Sequence, residues 1–241
     1  MNTLCTGRGI LERLSARCRG AEQLAMALGL TILPVPAALA PHLGLPDDPT
    51  HELAVVWRTD GPAPAEVRVG DRVYRGVTHG PEEPGMGQSW YHDVVADGLE
   101  PGTAYALTLP GGRTVEAETW PLVADHVRIV ARGDLGTTEH TQRVTSMEAT
   151  LQPDLALYLG DWSYANYGSG LETQQEPADP RPWWKIWNDF FNLLEPLLDR
   201  VPGGFVLGNH EYSDMVPGDN VDGPLARVHA PGNERRWSVV Y

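Results

Sequence analysis

Apolar and polar residues alternate over residues 51–58, with Leu53, Val55 and Trp57 on one face. A period of two predicts a strand with one side in a core. Short runs of the same character recur at 65–69, 72–77, 89–95 and 103–109, set apart by Gly-Pro, Gly-Asp and Pro-Gly steps. Gly111-Gly112 offers a tight turn into a further strand at 113–119. Short strands at this spacing predict an all-β sandwich over residues 36–120.

The rhythm changes after Asp125. A β-rich run at 127–131 is followed by a helical pattern at 138–150, with Thr138 or Thr137 as its cap. The unbroken apolar run at 155–159 predicts a strand buried on both faces. A second helix is predicted at 183–200, after Pro182 and before Pro202, and a third strand at 204–207. This β-α-β-α-β order predicts a parallel sheet covered by helices, so residues 121–241 form an α/β unit. The polar segment 165–181, with Pro177 and Pro180, reads as a surface loop. Trp183, Trp184 and Trp187 lie three and four residues apart and predict a helix face packed on the sheet.

Residues 1–35 fit neither unit. The apolar stretch from Leu24 to Leu33 follows Arg8, Arg13, Arg17 and Arg19, and Ala38-Leu39-Ala40 has the small residues of a cleavage site. That pattern suits a secretory signal. Ile10, Leu11, Leu14, Cys18, Ala21, Ala25 and Leu28 equally suit one face of an amphipathic helix.

Composition narrows the function classes. The 241 residues carry a formal charge of −14, which argues against nucleic-acid binding, where Lys and Arg must neutralise phosphates. An acidic chain can still act on phosphate compounds if bound cations invert the local field. The two cysteines, Cys5 and Cys18, both lie near the N-terminus, so the rest of the chain has no disulfide framework or cysteine-based zinc site. No apolar run reaches the roughly 18 residues of a membrane span.

The candidate chemistry sits where the three α/β strands end. The first runs into Gly133-Asp134-Leu135-Gly136, the second into Gly160-Asp161-Trp162-Ser163-Tyr164, the third into Gly208-Asn209-His210-Glu211. Open α/β sheets bind ligands beyond the carboxyl ends of their strands. Two aspartates, an amide and a phenol are hard oxygen donors, suited to hard or borderline cations. Any one of these motifs is a common turn; three in order within one α/β unit are not.

The set G-D-L-G, G-D-W-S-Y-A and G-N-H-E resembles the calcineurin-like metallophosphoesterase superfamily, and the tyrosine three residues after the second aspartate resembles its purple acid phosphatases. The run P-T-H-E-L-A-V-V-W-R-T from Pro49 is similar to the opening strands of that family's N-terminal domain. L-E-P-G-T-A-Y, ending at Tyr105, resembles the corner of fibronectin type III-like sandwiches, where a tyrosine packs inward and its hydroxyl bonds back to the chain. The resemblance covers residues 36–241. It implies a fibronectin type III-like all-β sandwich at 36–120 followed by an incomplete α/β metallophosphoesterase domain at 121–241.

It also implies roles. Asp134 would bind a first metal, ferric iron, and Asp161 would bridge two metals. Tyr164 would bind the ferric ion as a phenolate, and Asn209 would bind a divalent metal (zinc, manganese or iron). His210 would be catalytic, standing by the leaving group as an acid. Glu211 reads as a carboxylate supporting the ligands. Arg132 reads as a solvated strand-edge charge or as a cation steering an anionic substrate. His51, His79, His92, His140 and His229 match no ligand position.

The family's downstream histidines, a lone His and a Gly-His-x-His, are absent before Tyr241, and 237–241 reads as the start of another strand. The expectation is therefore an N-terminal fragment with little activity, whose parallel sheet exposes an edge. For the full-length form the resemblance implies an acid phosphatase hydrolysing small phosphate monoesters, secreted or extracytoplasmic, with a homodimer left open. A non-catalytic remnant serving as an interaction module and a metal-dependent phosphodiesterase are the alternatives. Tyr164 speaks against the latter.

Overall fold

The structure is a computed structural model that describes residues 35–83, 86–165, 180–212, 221–232 and 238. Both readings of the first 34 residues, the two cysteines, most of the loop predicted at 165–181 and all but Ser238 of the strand start at 237–241 lie outside the described residues.

The first half is built of strands, as the period-two pattern requires. They are β1 (Leu39–Gly44), β2 (Leu53–Thr59), β3 (Glu66–Val69), β4 (Arg72–Arg75), β5 (Val77–His79), β6 (Trp90–Ala96), β7 (Ala104–Thr108) and β8 (Thr114–Glu118). The second half alternates β9 (Ile129–Arg132), α1 (Glu139–Thr150), β10 (Leu155–Leu159), α2 (Trp183–Leu198), β11 (Gly203–Val206) and a single turn, α3 (Asp222–Leu225).

Among the described residues the strands form two sheets, one of seven strands in the order β5-β6-β2-β1-β11-β10-β9 and one of four in the order β4-β3-β7-β8. The larger sheet takes strands from both halves of the chain. Its two parts join where β1 runs parallel to β11, Gly44 opposite Gly203. One continuous sheet thus includes strands from both sides of residues 120 and 121. β1 carries no strand signal in its sequence, because its Pro41 and small residues lack the alternating signature. The run at 72–77, expected as one strand, breaks at Gly76 as the chain passes from the small sheet to the large one. A side chain at Gly76 would collide with the Asp93 carbonyl, so the crossing needs glycine.

The small sheet covers one face of β1, β2 and β6. Leu53, Val55, Trp57, Val67, Val94, Leu107 and Val115 interlock between the sheets. Full burial of each large apolar side chain contributes roughly 1.5–3 kcal/mol. Tyr105 packs at the rim of this core, and the Glu100 N–H donates to its hydroxyl at 2.8 Å. The other face of β2 is buried as well, Val56 against Met86, Tyr91 and Ala226. Strand β2 is therefore central rather than half-exposed, which its alternation did not show.

Helix α1 begins where Thr138 accepts a bond from the Thr141 N–H, the cap that its sequence predicted. Helix α2 turns Ile186, Trp187, Phe190, Phe191, Leu194, Leu197 and Leu198 onto Ala156, Tyr158 and Phe205 of the sheet. Trp187 is buried, while Trp183 and Trp184 are half-buried, which agrees with a packing face. Ser89 and Tyr91 both donate to the buried Asn188 carbonyl, at 3.1 and 3.0 Å, tying β6 to α2. The opposite face of β9, β10 and β11 has no such cover among the described residues. Ile129, Leu159 and Val206 are 50%, 57% and 45% exposed there.

Candidate metal centre

Parallel pairing brings the carboxyl ends of β9, β10 and β11 to one end of the sheet. The loops that leave them are laced together by backbone bonds. The Asp134 N–H donates to the Gly160 carbonyl at 3.2 Å, Leu135 to Asp161 at 3.0 Å and Gly136 to Trp162 at 2.9 Å. The first loop is also held by the Thr141 hydroxyl, 2.8 Å from the carbonyls of Leu135 and Gly136.

All five predicted site residues lie on these loops. The Tyr164 hydroxyl donates to Asp134 Oδ1 at 3.1 Å. The His210 N–H donates to Asp161 Oδ1 at 2.9 Å. The rings of Tyr164 and His210 lie 4.3 Å apart, centroid to centroid. Asn209 is exposed beside them. Asp134, Asp161 and Tyr164 have φ of 53°, 52° and 56°. The left-handed region costs a side chain roughly 1–2 kcal/mol per residue, and such strain concentrates at functional sites.

Glu211 lies beneath the loops, 3% exposed. Its carboxylate accepts three backbone N–H bonds, from Asp161, Trp162 and Gly208, each at 2.8 Å. Burial raises its pKa; the three N–H donors pull the other way, and the charge of Asp161 adds a smaller upward push. The supporting carboxylate read from the sequence thus ties two loops together. A side chain at Gly208 would overlap the Asp161 carboxylate, so glycine there permits the close approach. The Trp162 indole donates to the Val206 carbonyl at 2.8 Å, a support that no sequence signal announced.

Arg132 departs from both of its expected roles. It donates to Thr145 at 2.7 Å, lies 3.3 Å from Glu148 and covers the Tyr158 ring at 5.5 Å. It is neither solvated nor aimed at the loops, because its strand position faces α1. The remaining histidines are engaged elsewhere or exposed. His51 pairs with Asp48, His79 with Glu83 and His229 with Asp93. His92 bonds Thr59 and Thr78, and His140 is exposed on α1.

The donor set can be tested against a cation. Two carboxylates, a phenol and an amide oxygen suit hard cations, and three of the four occupy strained backbone, as ligating loops do. Yet among the described residues no three His, Cys, Asp or Glu side chains gather as a metal-holding group. The oxygen donors fit a hard cation.

No protein-family model matches the chain. Individual proteins do. Purple acid phosphatase 23 of Arabidopsis thaliana is 30% identical over 164 residues, which are 59% of this chain and 35% of that protein. Purple acid phosphatase 15 of the same plant is 30% identical over 163 residues, 59% of this chain and 30% of that protein. The chain is similar to purple acid phosphatases. A solved structure of purple acid phosphatase PPD1 from yellow lupin (Lupinus luteus) seeds matches 82% of this chain and 41% of that one, with a TM-score of 0.57 and 16% identity. At that identity the likeness speaks for the fold. The chain spans about a third of the length of these curated purple acid phosphatases.

Proposed function

We propose that the chain carries part of the catalytic machinery of a metal-dependent acid phosphatase that hydrolyses small phosphate monoesters. The observation that carries this reading is the meeting of Asp134, Asp161, Tyr164, Asn209 and His210 at one sheet end, in a chain similar to purple acid phosphatases. On this reading 36–120 is a fibronectin type III-like domain and 121–241 belongs to the catalytic domain. The Tyr105 bond back to Glu100 supports the first assignment.

Asp134 and Asp161 would supply the negative charge that holds cations. Tyr164 would turn its oxygen from Asp134 to a ferric ion, and Asn209 offers a neutral oxygen to a divalent zinc, manganese or iron. The chemistry that cations would supply there is charge for the phosphate oxygens and a lowered pKa for bound water. His210, which lies beside Tyr164, would pass a proton to the departing alkoxide oxygen. Among the described residues these four donors are fewer than two cations require, so weak metal binding and little hydrolysis are expected. A secreted location follows only from the likeness.

Iron loading tests the reading. A visible absorption band is expected with ferric iron and should vanish in Tyr164→Phe. A band that persists in the variant removes Tyr164 from the site, and no iron uptake by the wild type defeats the metal assignment.

A further inference from the structure

Two backbone strands of the site hang on one side chain. The loop after β10 carries Asp161 and Tyr164; the turn after β11 carries Asn209 and His210. Glu211 receives the N–H groups of Asp161 and Trp162 from the first and of Gly208 from the second. The carboxylate is almost wholly buried, so these bonds are not shared with bulk water. A bond from an N–H to a buried anion is among the stronger neutral-to-charged bonds. Asp161 also holds a left-handed φ of 52°, which an unsupported aspartate leaves readily. Its own Oδ1 then accepts the His210 N–H, closing a ring of contacts from Glu211 through Asp161 to the next turn.

We propose that Glu211 is a positioning residue that locks the Asp161 loop and the 208–210 turn into one arrangement, setting where Asp161, Asn209 and His210 present their side chains. The role needs both oxygens. Two N–H groups meet at Oε2 and one at Oε1, so an amide in place of the carboxylate must turn an NH2 toward at least one N–H. The consequence for cation affinity rests on the metal reading above; the lock itself does not.

Glu211→Gln in the full 241-residue chain, compared with wild type by hydrogen exchange, tests the lock. Exchange of the Asp161, Trp162 and Gly208 amides should quicken about tenfold or more, while amides of β2 and β6 keep their rates. Unchanged exchange at the three positions overturns the proposal. So does uniform acceleration across β2 and β6, which would make Glu211 a general stability residue. Should the variant fail to fold, the wild type still decides, since unprotected amides at the three positions refute the lock. Titration with Mn2+ alone, followed by calorimetry, adds the second arm. Affinity should fall about tenfold in Glu211→Gln. Equal affinity in both proteins, with wild type binding, refutes the effect on the ligands. No binding by wild type together with selective amide acceleration removes the metal reading and upholds the lock.

Discussion

Residues show the physics of this chain in its least ambiguous form. Tyr164 and Asp134, distant in sequence, share a hydrogen bond at 3.1 Å. Removing the hydroxyl in Tyr164→Phe leaves the ring against His210, so folding stability should change by less than about 1 kcal/mol, measured by urea unfolding, even as any iron band is lost. His92 is a second case. Burial, helped by the charge of His79, holds its pKa down at about 4. An unfolded histidine titrates near 6.5, so between these values the unfolded chain binds the extra proton. His92 therefore favours the fold above about pH 6.5, and that contribution is lost as pH falls toward 4. The loss should be no more than about 3 kcal/mol, and His92→Asn should flatten the pH dependence of unfolding across that window.

Elements follow their local signals closely where a cap or a period is present. Thr138 caps α1 as its position before the helix required, and Thr138→Ala should cost about 1 kcal/mol, seen as a fall of a few degrees in thermal unfolding. The apolar stripe of α2 was legible because seven buried residues recur at helical spacing. Strand β1 was not legible. Its pairing partners, β2 and β11, come from both halves of the chain, and no local pattern encodes a neighbour that far away. The bend at Gly76 was hidden for the same reason, since the Asp93 carbonyl that forbids a side chain lies on another strand. The three Gly-Asp and Gly-Asn strand ends were readable as motifs; the left-handed backbone of Asp134, Asp161 and Tyr164 was not.

On the scale of the whole molecule, residues 36–241 cluster as one unit, with a single sheet shared by the β-rich and α/β halves. The small sheet covers one end of its outer face and leaves Ile129, Leu159 and Val206 exposed at the other. Parallel strands are ordinarily covered on both faces, and an apolar patch of this kind promotes association. Leu159→Lys with Val206→Glu should lower self-association, measured by sedimentation at rising concentration, without lowering the unfolding midpoint.

Local order in the chain determined most of the strands, both long helices, the glycine-led turns and the residue types at the three strand ends, because period, cap and turn chemistry act over a few residues. Tertiary structure alone decided that β1 joins the two halves, that Arg132 packs under α1, and that Glu211 reaches back to the loop of Asp161. These outcomes depend on contacts between distant segments, which form only when burial and hydrogen bonding outweigh the entropy of closing the chain between them.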